Sequence, residues 1–145
     1  MSKNNEFLFV YGTLMSNIPS SMSKFLRRRA TLIGKATVSG TLIDLGGYPG
    51  LLTGGGTVKG ELYRFNEDRR EESWSMLDAY ESVTGAPEDE YRKESVDVRV
   101  NGGGKFSATT YVYVGSSRGK QVIPNGDYPP FYKNNPEHRK FTGDE

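Results

Sequence analysis

The 145-residue chain has no cysteine and a single histidine, His138. Without cysteine there can be no disulfides, no thiolate nucleophile and no cysteine-ligated zinc. One histidine argues against both a Ser–His pair and a histidine-built metal site. His138 sits in a polar, proline-flanked tail and reads as a solvated residue. No apolar run approaches the ~20 residues that cross a bilayer. Residues 1–5 lack the apolar core of a signal peptide, so the sequence predicts a cytoplasmic chain with no membrane partner. An excess of one charge is also missing: 19 Lys and Arg face 18 Asp and Glu, which gives no bias toward nucleic acid. Arg27–Arg29 is a local exception after Phe25-Leu26. It reads as a helix C-terminus, where cations complement the macrodipole; as a phosphate patch it lacks interleaved aromatics. Glycine is plentiful at 18 residues, yet no Gly-x-Gly-x-x-Gly or Walker pattern occurs among them.

The length suits one compact domain with a sizeable core. Phe7 to Val10 is a continuous apolar run, read as a buried strand. A short helix is expected over 19–29, then a long strand over 31–45 with bends or bulges at Gly34 and Gly40. Gly46 to Gly50 reads as a tight loop. A strand follows from Thr57 to Phe65 with Val58, Leu62 and Phe65 buried, and then a helix over 67–82. Tyr91 to Val100 alternates as a half-exposed strand. Asn101-Gly102-Gly103-Gly104 makes a hairpin turn, and Phe106 to Val114 returns. Strands follow strands, which predicts an α+β fold: a small, mainly antiparallel β-barrel flanked by one longer and one short helix. Residues 1–120 form the domain. Residues 121–145, rich in proline, glycine and charge, read as an irregular C-terminal arm on or beside it.

Two segments could carry chemistry. The first strand runs into Tyr11-Gly12-Thr13-Leu14, where a strand end opening on a glycine turn can offer backbone N–H groups and a hydroxyl to an anionic group. In the helix, Trp74 and Leu77 define an apolar stripe at ~100° per residue, and Glu81 falls angularly between them. Two readings of Glu81 follow. It can fan out to solvent where the helix frays. Alternatively it is buried, with burial and the negative end of the helix dipole raising its pKa toward neutrality, which suits a group that takes and returns a proton.

Tyr11-Gly12-Thr13-Leu14 and Leu77-Asp78-Ala79-Tyr80-Glu81 together resemble the γ-glutamylcyclotransferase-like family, in the branch of γ-glutamylamine cyclotransferases and AIG2-like proteins. The similarity runs from about Phe7 to Val114. It takes in Tyr48-Pro49-Gly50-Leu51, Val58 to Tyr63, Tyr91-Arg92-Lys93 and Tyr111 to Val114. The resemblance implies a barrel whose Tyr11, Gly12, Thr13 and Leu14 bind the γ-glutamyl part of a small-molecule substrate. The catalytic glutamate then falls on Glu81. The implied enzyme releases 5-oxoproline and a free amine from a γ-glutamyl amine or peptide, with no metal or other cofactor. A non-catalytic ligand-binding module on the same barrel is the alternative. The family usually has glycine after the glutamate, where this chain has Ser82. Tyr48, Tyr91 and Tyr113 are candidates for the barrel mouth, with packing the commoner role for such residues. Tyr128 to Tyr132 could bear on selectivity for the leaving amine.

Overall fold

The computed structural model describes residues 6–143. The start of the chain, read above as lacking a leader core, lies outside the described residues. Five strands and four helices follow in the order β1 (Phe7–Val10), α1 (Ser21–Arg29), β2 (Ala30–Asp44), β3 (Pro49–Phe65), α2 (Arg70–Tyr80), β4 (Tyr91–Val100), β5 (Lys105–Tyr113), α3 (Tyr128–Lys133) and α4 (Pro136–Phe141). The strands close into a barrel in the order β1-β3-β2-β4-β5. β1 explains its own composition. It pairs antiparallel with β3 (Phe9 opposite Leu62) and parallel with β5 (Leu8 opposite Thr109). Leu8, Phe9 and Val10 are therefore all buried, as in a strand covered on both faces. This parallel pairing makes the barrel mixed, since the other strand pairs are antiparallel.

The β2–β3 hairpin supplies most of the sheet. Its register shifts between Leu32 and Gly34 and between Ser39 and Gly40, at the two glycines expected to bend it. Val58, Leu62 and Phe65 are buried. β3 begins at Pro49 and not at Thr57: Pro49 and Gly50 read as the end of a loop, yet Leu51 pairs with Leu42 and Gly50 packs tightly against Tyr113. The extra length brings Pro49 against Gly12, two residues past the end of β1.

The C-terminal segment differs from the irregular arm expected. A single 3-10 turn at Pro124–Gly126 leads into α3 and α4, and each helix has a proline in its first turn, where the missing N–H is not needed. The segment is tied down through Asp44 N–H to Gln121 O (2.8 Å) and Ile123 N–H to Leu42 O (2.8 Å). Tyr128 and Tyr132 enter the core. His138, expected in solvent, is fully buried. Its Nε2 lies 2.6 Å from Asp44 Oδ1 and its Nδ1 2.7 Å from the Tyr128 hydroxyl. Two polar partners make burial of the ring tolerable, and neither was visible from its polar neighbours in sequence.

Candidate active site

β1 ends at Val10, and the chain turns through residues 11–18 into α1. Ser20 caps α1: its Oγ accepts from Ser23 N–H at 3.0 Å and donates to Thr13 O at 2.6 Å. Ser23 donates from Oγ to Met15 O (2.9 Å), and Arg27 donates to Ser16 O (3.0 Å). From below, the buried Glu61 carboxylate accepts from Ser16 N–H (2.8 Å) and Ser16 Oγ (2.6 Å). The loop is therefore anchored on its α1 and β3 sides. By contrast, the N–H groups of Gly12, Thr13 and Leu14 have no acceptor among the described residues. Gly12 is constrained by packing: a Cβ there would lie 2.6 Å from Pro49 Cγ. Tyr11 is buried, and its hydroxyl donates to Tyr111 O at 2.7 Å.

α2 supplies the other half. Trp74 and Leu77 face the core as the stripe predicts. The helix is shorter than expected and ends at Tyr80, with Glu81 as its C-cap; Glu81 N–H still bonds Leu77 O at 2.9 Å. Ser82 takes φ 57°, the left-handed geometry that closes many helices and favours glycine. Asp78 is fully engaged, accepting from the Tyr111 hydroxyl at 2.7 Å and pairing with Lys93 at 3.0 Å. Glu81 is half-buried in the cavity lining, and its carboxylate has neither hydrogen bond nor ion pair among the described residues. Burial pushes its pKa up to about 8, with the nearby Asp78 charge adding to the shift.

Both halves meet in a cavity of about 200 Å³ at the end of the barrel where β1 and β5 finish and β4 begins. Tyr11, Gly12, Thr13 and Leu14 form one wall, and Tyr80, Glu81 and Ser82 another. Tyr48 and Tyr91 line it; Tyr113 does not and instead donates its hydroxyl to Ser116 O at 3.0 Å. Tyr128 and Tyr132 lie in the core, away from the lining. The lining also takes in residues that the sequence does not assign to a site, among them Pro49, Tyr80, Glu90, Tyr111 and Phe141. Pro49 and Glu90 stand next to aromatic residues that had been singled out, whereas nothing in the tail marks Phe141. No lysine, arginine or histidine lines the cavity among the described residues. Nor do those residues contain a group of three or more His, Asp or Glu placed to hold a metal ion.

A family model described as gamma-glutamyl cyclotransferase, AIG2-like, matches residues 8–130. The chain is 35% identical over 108 residues to the gamma-L-glutamyl-butirosin B gamma-glutamyl cyclotransferase of Niallia circulans, covering 73% of this chain and 65% of that protein. It thus spans just under two thirds of that relative's length. It is 32% identical over 122 residues to the gamma-glutamylcyclotransferase family protein YtfP of Escherichia coli K12, covering 83% of this chain and 94% of that one. Among solved structures, protein PH0828 of Pyrococcus horikoshii superposes with a TM-score of 0.65 at 23% identity, covering 88% of this chain and 93% of that one, which shows a shared fold.

Proposed function

The chain belongs to the AIG2-like gamma-glutamyl cyclotransferase family, and from that premise we propose that its cavity converts a γ-glutamyl amine or γ-glutamyl peptide to 5-oxoproline and a free amine. The observation that carries the reading is one unpaired carboxylate of raised pKa, Glu81, facing a loop with three unpaired amides across a single cavity. The substrate's α-carboxylate lies against the Gly12–Leu14 amides, which supply charge-assisted hydrogen bonds that a neutral wall cannot. Glu81 takes a proton from the α-ammonium. The freed nitrogen attacks the γ-carbonyl and closes a five-membered ring. The old amide bond breaks as Glu81 returns the proton to the departing nitrogen. The step is intramolecular, so orientation supplies much of the rate. A pKa near the working pH lets one carboxyl serve as base and then acid.

The test is Glu81→Gln. The expected result is loss of 5-oxoproline release by a factor of at least about 10², with ligand-induced thermal stabilisation retained. Full activity in that variant would falsify the mechanism. Stabilisation of the native protein by γ-glutamyl compounds without any product would favour a binding module.

A further inference from the structure

The walls of the cavity differ in character beyond Glu81. The cavity lining also holds Tyr48, Tyr91, Phe141 and Glu90, of which Glu90 and Phe141 are exposed, Tyr48 half-buried and Tyr91 buried, so the cavity opens to solvent on the Glu90, Tyr48 and Phe141 side. The Tyr48 and Phe141 rings stand 4.9 Å apart, and Tyr48 and Tyr91 6.4 Å apart. Glu90 joins this cluster through one oxygen only, Oε1, which accepts from the Tyr48 hydroxyl at 2.8 Å. Its Oε2 has no hydrogen bond and no ion pair among the described residues. Phe141 is half exposed and is brought here by α4, whose His138 is fixed to Asp44. Gly47 lets the arm seat closely, since a Cβ there would lie 3.3 Å from Phe141 Cβ.

Glu81 marks where the scissile bond must sit, so whatever leaves with the amine extends toward this outer frame. The frame offers π-faces, an exposed carboxylate with one unbonded oxygen and, among the described residues, no basic group. We infer that the departing amine carries a second positive charge, held between the Glu90 carboxylate and the rings of Tyr48 and Phe141. The inference rests on the cyclotransferase reading and narrows its substrate class. Aromatic faces and a carboxylate both attract an ammonium group. An anionic end group, such as the free carboxylate of a γ-glutamyl dipeptide, meets like charge from Glu90 with no cation in the lining to offset it. The γ-glutamyl carboxylate escapes this penalty because it sits at the opposite wall, on the Gly12–Leu14 amides.

Three probes decide the matter: γ-glutamyl conjugates of a terminal diaminobutane, of pentylamine and of a terminal aminopentanoate. They match in length and differ in end-group charge. 5-oxoproline release should rank cationic over neutral over anionic in kcat/KM, by roughly tenfold at each step at low ionic strength. The spread should contract as salt is raised. Glu90→Gln should bring the cationic-to-neutral ratio to within about threefold. A neutral conjugate as good as the cationic one, or a ratio indifferent to Glu90→Gln, overturns the inference. Calorimetric binding of the same probes to Glu81→Gln separates the two readings. The same charge ranking in binding, with no turnover by the native protein, supports the cationic subsite and defeats the cyclotransferase reaction. Binding that is flat across the three, or absent for all, defeats the subsite.

Discussion

The hydroxyls of Thr13 and Tyr80 lie 2.9 Å apart and join the loop after β1 to the residue immediately before Glu81. A Thr13 hydroxyl that accepts from Tyr80 still has its own proton to donate into the cavity. The link ties the Gly12–Leu14 amides to the Glu81 carboxyl, the two groups that the proposed reaction sets at opposite ends of its substrate. Removing the Tyr80 hydroxyl (Tyr80→Phe) should cost only about 1 kcal/mol of stability. The effect on kcat/KM should be larger, roughly tenfold or more, because small displacements between reacting groups are expensive. Urea unfolding beside steady-state 5-oxoproline release separates the two. Equal kcat/KM in Tyr80→Phe and native protein would reduce the link to packing.

Glu81 should leave a mark on stability that needs no substrate. Burial raises its pKa from 4.5 to about 8, so between those values the unfolded chain is ionised while the folded chain holds its proton. Unfolding then releases a proton, and stability falls as pH rises, by up to about 1.4 kcal/mol per unit. The contribution is full below about 4.5 and lost above about 8. Glu81→Gln removes it. The variant should therefore gain on the native protein by a few kcal/mol between about pH 5 and about pH 9. Parallel urea midpoints at the two pH values would place the Glu81 carboxyl in solvent.

Ser82 occupies a left-handed backbone position at φ 57°. A non-glycine residue there costs about 1–2 kcal/mol, against which a glycine gives back about 0.4–1 kcal/mol through the freer unfolded chain. Ser82→Gly should stabilise the protein by roughly 0.5–1 kcal/mol. A lower thermal midpoint in Ser82→Gly would mean that the serine earns its place through a contact that glycine loses.

The C-terminal clasp makes a third kind of claim. His138 is buried with both ring nitrogens bonded, to Asp44 and to Tyr128. His138→Ala leaves the buried Tyr128 hydroxyl without its partner and takes one of two partners from the half-buried Asp44, whose Oδ1 keeps Gly46 N–H at 2.8 Å; it should cost about 2–4 kcal/mol. Phe141 hangs on the same helix and lines the cavity, so kcat/KM should fall beyond what the lost folded fraction explains. Proteolysis at 134–143 should accelerate in step. Unchanged protection of that stretch would show that Tyr128 and Tyr132 hold the arm without the histidine.

The legible parts of the molecule were those governed by local pattern. Val96, Val98 and Val100 alternate against polar neighbours, and β4 runs from Tyr91 to Val100 as that alternation predicts. Gly34 and Gly40 mark real register shifts. Trp74 and Leu77 fix the phase of α2 and hence the direction of Glu81. What stayed hidden depends on partners far away in sequence. His138 and Asp44 are 94 residues apart, and no property of either residue announces the other. Pro49 and Gly50 are loop-like by composition, yet Pro49 to Thr53 are strand by pairing with β2. Phe141 reaches the cavity only because α3 and α4 fold back, through helices too short for any periodicity to show.

Gly12 brings the local and the distant together. In sequence it looks like a turn residue or a close approach to ligand; its backbone lies outside the left-handed region, and the space a side chain would fill belongs to Pro49 Cγ at 2.6 Å. Pro49 opens β3 and its carbonyl accepts from the Tyr91 hydroxyl at 2.7 Å, so it cannot retreat freely. Gly12→Ala must therefore push the loop toward the cavity, at a cost of about 1–3 kcal/mol from overpacking. If Pro49 is the cause, Pro49→Ala in the same chain opens room for the new methyl. The double variant should then recover at least about 1 kcal/mol relative to the sum of the two single changes. Additive losses would locate the requirement for glycine in the cavity itself, where a ligand and not a proline sets the limit.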